Sequence, residues 1–322
     1  VNPPAGELDQ VSRWLVITRA GVLPMTLTAG AVAGLLAVRH RGFAAGWFAL
    51  SFIGIALAHV SNNLVNDLFD TDTGLDTGEY PRALYAPHPI LSGMISRAAL
   101  IRAAVGVNVA DVLILIVLVV ARGWIVLAFG IAGVVLNVAY TAPPLRLKKR
   151  GLGELDVMLV WGPLMIAGTY YAAVGSVPWQ VWPASIPYGL LCTAVLMGKH
   201  IDKLPWDVKA DVRTLPVILG ERRARLVTEA LMVGFYVAIV ACVAVSALPW
   251  PALAAFGGVP LLVRALKALR LPRPDSPPRG FPVWPLWFAA FAFTHTRRAG
   301  ALMVAGLVVA AVFGLGPHWL RA

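Results

Sequence analysis

Nine stretches of the chain are apolar over roughly the twenty residues that a helix needs to cross a bilayer. They fall near 15–38, 43–69, 98–120, 124–141, 152–175, 180–200, 224–247, 249–269 and 298–316. A further apolar and aromatic run, 281–293, is too short to span and reads as interfacial or re-entrant, with Trp284 and Trp287 at headgroup level. Residues 271–279 carry four prolines and read as an irregular linker. The pattern predicts an all-α integral membrane protein whose nine helices surround a central chamber.

Composition agrees with the pattern. Of the 322 residues, 59% are hydrophobic and 13% charged, with a mean hydropathy of +0.76. A soluble domain carries about 25% charged residues. The net charge of +11 does not mark a nucleic-acid surface, because the positive residues fall between apolar runs. Nine spans put the termini on opposite sides, and 23 of the 27 Lys and Arg then lie on the N-terminal side, against 4 on the other. The positive-inside rule places the N-terminus and that set of loops in the cytoplasm of a bacterial-type cell membrane, and the C-terminus outside. Cytoplasmic loops are long and polar while the opposite ones are short, so the chemistry is expected on the cytoplasmic side. Cys192 and Cys242 lie within apolar runs without metal or redox spacing and read as core residues. The first dozen residues, with Glu7 and Asp9, do not read as a cleavable signal.

The second apolar run closes on Asn62-Asn63-Leu64-Val65-Asn66-Asp67-Leu68-Phe69-Asp70-Thr71-Asp72-Thr73-Gly74-Leu75-Asp76-Thr77. Offsets of three and four put Asn63, Asn66, Asp67 and Asp70 on one helical face. Such a stripe is costly in a membrane helix unless it has a function. Its hard oxygen donors suit magnesium shared with a phosphate.

Two further polar stretches lie on the same expected membrane face. Between the sixth and seventh runs come Lys199, Asp202, Lys203, Asp207, Lys209, Asp211 and Arg213. Pro205 within this stretch argues for an irregular turn rather than one helical face between Asp202 and Asp207. After the fourth run stand Tyr140-Thr141-Ala142-Pro143-Pro144, followed by Arg146, Lys148 and Gly151-Leu152-Gly153-Glu154. Facing acidic clusters can hold magnesium ions that bridge a diphosphate, with Lys and Arg completing the clamp. Arg146 and Lys148 can reach the phosphates, and the Tyr140 ring can face a cation. An allylic diphosphate ionised in this way needs a dry chamber, which a bundle of apolar helices offers, open at its side to a polyprenyl tail in lipid.

These stretches resemble the UbiA superfamily of intramembrane prenyltransferases. Residues 66–77 look like its first aspartate motif, in the variant common among naphthoate prenyltransferases of menaquinone synthesis. Residues 140–154 look like its next signature, and residues 202–215 like its second aspartate motif with a trailing Arg-Thr-Leu. With nine spans, the resemblance covers essentially the whole chain, 1–322, as one membrane domain. It implies a polyprenyl diphosphate donor, an apolar and usually aromatic acceptor, and magnesium as cofactor. It assigns metal binding to Asn66, Asp67, Asp70 and Asp76, with Asn63 as a further candidate, and to Asp202 and Asp207. Lys199, Arg146, Lys148 and Arg213 become diphosphate contacts, so that Asp70, Asp207, Tyr140 and Lys199 form the expected catalytic set.

Three positions depart from the family pattern. Asp202 and Asp207 are five apart rather than four, so either Asp202 is displaced or Lys203 holds the usual slot, which adds Lys203 to the diphosphate contacts. Asp211 stands where glycine is usual and is a candidate extra metal ligand. His88 replaces an arginine in His88-Pro89-Ile90-Leu91-Ser92-Gly93, which weakens one expected phosphate contact.

Several single residues admit two readings. Asp111, with Asn108 one turn before it, is either functional or a structural hydrogen-bonding group. His59 is either a satisfied core residue or part of the acceptor pocket, and Arg19 favours snorkelling over acceptor binding. His200 is an acid–base candidate, and Tyr170 and Tyr171 read as packing. The alternative function is a terpene cyclase of the same superfamily, acting on the diphosphate without an acceptor. A transporter would instead place its acids near the midplane.

Overall fold

A computed structural model describes residues 8–74 and 77–321. Those residues are helical and contain no strand, and nine helices among them are long and apolar enough to cross a membrane. A short amphipathic helix α1 (Gln10–Ile17) precedes the bundle. Asp9 caps it, accepting from the amides of Val11 and Ser12 at 2.9 and 3.0 Å. The Ser12 hydroxyl and amide hold the Asp9 carboxyl below the usual carboxylate range.

The spanning elements follow in order. They are α2 (Leu23–Ala37), α3 (Ala45–Asp72), α5 (Arg97–Arg122) and α6 (Trp124–Thr141), with a short α4 (Pro81–Tyr85) between α3 and α5. The fifth span is built from α7 (Gly153–Leu159) and α8 (Met165–Val174), joined through a wider turn at Val160–Leu164. There Pro163 lacks an amide donor and Gly162 leaves helical geometry. Next come α9 (Val181–Lys209), the short α10 (Leu215–Leu219) and α11 (Glu221–Ala244). The eighth span joins a 3-10 segment (Trp250–Gly258) to α12 (Val259–Arg270), and α13 (Trp287–Phe313) completes the bundle.

The fourth expected span matches α6 residue for residue, and three others differ in instructive ways. The first breaks at Arg19, which takes a left-handed conformation (φ 53°) and turns its side chain inward. The sixth does not end near residue 200: α9 runs on through Pro205 to Lys209. The irregular turn expected between Asp202 and Asp207 is therefore helix, and a proline is tolerated near the end of so well packed an element. The ninth begins at Trp287 rather than near 298, so the second half of the 281–293 run is helix continuous with the last span, not a separate interfacial segment.

α9 and the α7–α8 span are the most enclosed elements, whereas α5 and α6 turn most of their surface outward. α9 packs against α11 and α13, α3 against α5, and α2 against α8 and α13. Two glycines permit the closest approaches. A Cβ on Gly306 would stand 1.9 Å from the Pro251 carbonyl oxygen, and one on Gly198 2.9 Å from the Ala289 amide nitrogen. The second contact brings the start of α13 against α9, beside the polar end of the bundle.

Candidate active site

The first wall is the last four turns of α3. Asn63, Asn66, Asp67 and Asp70 are all buried there, on the single face that their spacing requires. Asp67 is enclosed by two guanidinium groups. Arg82 spans it with Nε to Oδ1 at 3.0 Å and Nη2 to Oδ2 at 3.1 Å. Arg19 reaches Oδ2 through Nε at 3.2 Å and pairs with Oδ1 through its terminal nitrogen. His88 Nε2 lies 3.6 Å from Oδ1. One turn further, Lys148 Nζ is 2.7 Å from both oxygens of Asp70 and 2.9 Å from Asn66 Oδ1. The Thr141 hydroxyl also donates to Asn66 Oδ1, at 3.2 Å, and Asn63 donates to the Thr18 carbonyl.

The second wall is α9. Because the sequence stays helical, Lys199, Lys203 and Asp207 recur every four residues and share a stripe. Asp207 is fully buried. Its Oδ1 accepts from the Tyr80 hydroxyl at 2.7 Å and lies 3.6 Å from Lys203 Nζ. The same ammonium sits 4.5 Å from the centre of the Tyr80 ring. Asp207 Oδ2 is buried without a hydrogen-bond partner among the described residues. Lys199 lies within electrostatic reach of Lys203, Arg19, Lys148 and Arg82. Arg19 and Arg82 thus pair with Asp67, Lys148 with Asp70 and Lys203 with Asp207.

Tyr140, next to last in α6, is buried, with Lys148 Nζ 6.0 Å from its ring centre. Gly153 leaves room for both: a Cβ there would come within 3.2 Å of the Tyr140 ring and 3.1 Å of Lys148 Cα.

Other expected site residues go elsewhere. Five helical steps turn Asp202 about 140° away from Asp207. Its carboxylate accepts instead from the backbone amides of Phe288 (3.0 Å) and Ala289 (2.8 Å), capping α13. Asp202 is therefore a helix anchor in this structure rather than a member of the oxygen cluster. Asp211 is exposed in a left-handed turn (φ 51°), and Arg146 and Arg213 are exposed. Asp76 lies outside the described residues. His200 is withdrawn from the cluster, its Nδ1 2.6 Å from Glu154 Oε1 in a buried pair.

Three participants escape the sequence reading: Arg19, expected to snorkel, with Arg82 and Tyr80. The signal for the last two was Tyr80-Pro81-Arg82, where a proline opens a short helix just after the acidic motif.

A cavity of about 980 Å³ runs from this cluster into the bundle, lined by Met25, Tyr140, Trp161, Cys192 and Leu196 among others. His59 and Asp111 both line it. His59 Nδ1 is 2.7 Å from the Thr26 hydroxyl, which accepts from Trp161 Nε1 at 3.1 Å. The imidazole is thus both a hydrogen-bonded core group and part of the chamber wall.

The donor set can receive magnesium. It consists of hard oxygens, and one of them, Asp207 Oδ2, is buried and unengaged. Among the described residues no three acidic, His or Cys side chains form a metal site by themselves, and amide, water or phosphate oxygens would complete the shell of an ion here.

The sequence profile of the UbiA prenyltransferase family matches residues 26–290. The 2-carboxy-1,4-naphthoquinone phytyltransferase of Synechocystis sp. is 29% identical over 247 residues, covering 76% of this chain and 77% of that protein. The 1,4-dihydroxy-2-naphthoate octaprenyltransferase of Mycobacterium tuberculosis is 29% identical over 263 residues, covering 80% and 86%. Among solved structures, the apo form of a UbiA homologue from Aeropyrum pernix K1 aligns with a TM-score of 0.64 at 17% identity, over 89% of this chain and 97% of that one. A UbiA homologue from Archaeoglobus fulgidus bound to GPP and Mg2+ aligns with a TM-score of 0.60 at 15% identity, over 93% and 99%. These two likenesses establish the fold.

Proposed function

The chain belongs to the UbiA prenyltransferase family, and from that premise we propose that it transfers a polyprenyl group from its diphosphate to a naphthoate-type aromatic acceptor, with magnesium. One observation carries the reading: an apolar cavity opens onto Arg19, Asn66, Arg82 and Lys199, beside the buried ion pairs of Asp67 and Asp70. The naphthoate acceptor is supported by the named activities of the two relatives above.

Lys148, Lys199 and Lys203 bind the diphosphate as point charges, while the Arg19 and Arg82 forks hold Asp67 and so fix the base of the first wall. Asn66 and Asp70, together with phosphate oxygens, would hold magnesium, which would supply positive charge to the leaving diphosphate, while Asp207 holds Lys203 beside it. Lys148 moves from Asp70 to the phosphates as the donor arrives. The allylic C–O bond breaks, the Tyr140 ring faces the resulting cation, and the apolar chamber keeps water from it. A ring carbon of the acceptor forms the new C–C bond, and its proton is released.

The site-bearing end faces the cytoplasm in this reading, supported by the distribution of 23 against 4 basic residues. Full-length protein in lipid nanodiscs, given labelled geranylgeranyl diphosphate, magnesium and 1,4-dihydroxy-2-naphthoate, is expected to form the prenylated ring. A cyclised hydrocarbon formed from the donor alone, with no ring product, would overturn the transferase reading in favour of a cyclase.

A further inference from the structure

The two walls of the site are not equivalent. The first presents Asn66 and Asp70 one turn apart, with a lysine that reaches them from a separate segment after α6. The second presents a single carboxylate, Asp207. The other acid on that stretch of α9, Asp202, is spent on the amides of Phe288 and Ala289, and Asp211 lies exposed beyond the helix. What stands beside Asp207, one helical turn before it, is the ammonium of Lys203.

That ammonium is held in place. It belongs to the same helix as Asp207, at the spacing where side chains stand one above the other. It is mostly enclosed, with 13% of its side chain exposed, and it covers the Tyr80 ring at 4.5 Å. Tyr80 in turn donates to the oxygen of Asp207 that faces Lys203. Lys148, by contrast, can swing away from Asp70 when an ion takes its place, because it comes from a different element. Lys203 rises from the same face of α9 as Asp207 and so stays within reach of it. A divalent ion beside Asp207 would have one carboxylate oxygen to bind and a neighbouring positive charge against it.

We propose that Lys203 is a tethered cation serving where a metal ion would otherwise bridge the second wall to the diphosphate, so that metal is held chiefly by the Asn66–Asp70 wall. This rests on the prenyl diphosphate reading above and adds to it a lower metal requirement. A carboxylate at position 203 would restore an i, i+4 acidic pair with Asp207 and create a second-wall metal site. An ammonium there removes that site and supplies a hydrogen-bond donor to phosphate in its stead.

The test counts metal rather than turnover. Full-length protein in nanodiscs is saturated with inorganic pyrophosphate, and bound Mn2+ per chain is measured by electron paramagnetic resonance alongside calorimetric titration of pyrophosphate. Lys203→Asp is expected to bind one more Mn2+ than the wild-type chain. Lys203→Met is expected to keep the wild-type count while pyrophosphate binds about tenfold more weakly, the effect of losing one charge-assisted contact. Lys203→Arg is expected to match wild type in metal count. An unchanged count in Lys203→Asp, or unchanged pyrophosphate affinity in Lys203→Met, overturns the proposal. If Lys203→Asp does not fold, the affinity of Lys203→Met decides alone. Failure of the wild-type chain to bind pyrophosphate would remove the donor reading itself, an outcome distinct from normal binding with an unchanged metal count.

Discussion

The ammonium of Lys148 lies 2.7 Å from both carboxylate oxygens of Asp70. The two residues come from segments 78 positions apart, and the contact joins the first acidic motif to the loop after α6. An ion pair this enclosed is poised to exchange: each partner has a stronger claimant, metal for the carboxylate and phosphate for the ammonium.

Removing either partner should therefore cripple transfer more than folding. Asp70→Ala and Lys148→Met are each expected to lower product formation by about 10²–10³-fold, the usual cost of losing one group that stabilises developing charge. Because the two residues act as a unit, the double variant should be little worse than either single one. Turnover of the three proteins in nanodiscs checks this, and a fully multiplicative loss would separate their roles.

Tyr80 tests the second wall. Tyr80→Phe keeps the ring under Lys203 and removes the hydroxyl that donates to Asp207 at 2.7 Å. Loss of a hydrogen bond to a charged group costs about 1.5–3 kcal/mol. The melting temperature is expected to fall accordingly, and donor binding to weaken as Asp207 loses the hydroxyl that positions it beside Lys203.

Asp202 should behave as a structural residue. With its carboxylate on the first amides of α13, Asp202→Ala is expected to cost about 1–2 kcal/mol, the range for losing a helix cap. The melting temperature should fall while the protein that remains folded keeps its metal affinity. Asp207→Ala, which takes from Lys203 and Tyr80 their shared partner, should weaken pyrophosphate binding. A loss of metal binding in Asp202→Ala at unchanged stability would return that residue to the metal set.

Chelation gives a complementary check. Treatment with EDTA is expected to abolish product formation, and added magnesium to restore it. The helical content seen by circular dichroism should stay constant, since the bundle is built from apolar packing. Coincident loss of helix and activity would make the metal structural.

Much of the fold was legible in the apolar runs. A bilayer leaves backbone polar groups no partner outside the helix, so twenty apolar residues can hardly be anything else. α6 shows this at its clearest, since its bounds match the expected ones. The stripe Asn63, Asn66, Asp67 and Asp70 was legible for the same reason, because helical period alone assigns its face. The ends of α9 and α13 were not legible. Hydropathy marks where lipid stops, not where a helix stops, and both helices run past that point because they pack on each other through Gly198.

The sequence by itself therefore determined the membrane class, the helical bundle, its polar end and the first acidic stripe, all of which follow from local periodicity and solvent preference. Only the tertiary structure decided which charges meet. Arg19 and Arg82 converge on Asp67, Tyr80 reaches Asp207, and Asp202 turns to α13. Those pairings depend on how helices far apart in sequence are rotated and staggered, and burial leaves each charge no alternative but the partner that packing brings to it. The opening motif thus supplied half of the site, and the continuous helix through Pro205 decided which residues make up the other half.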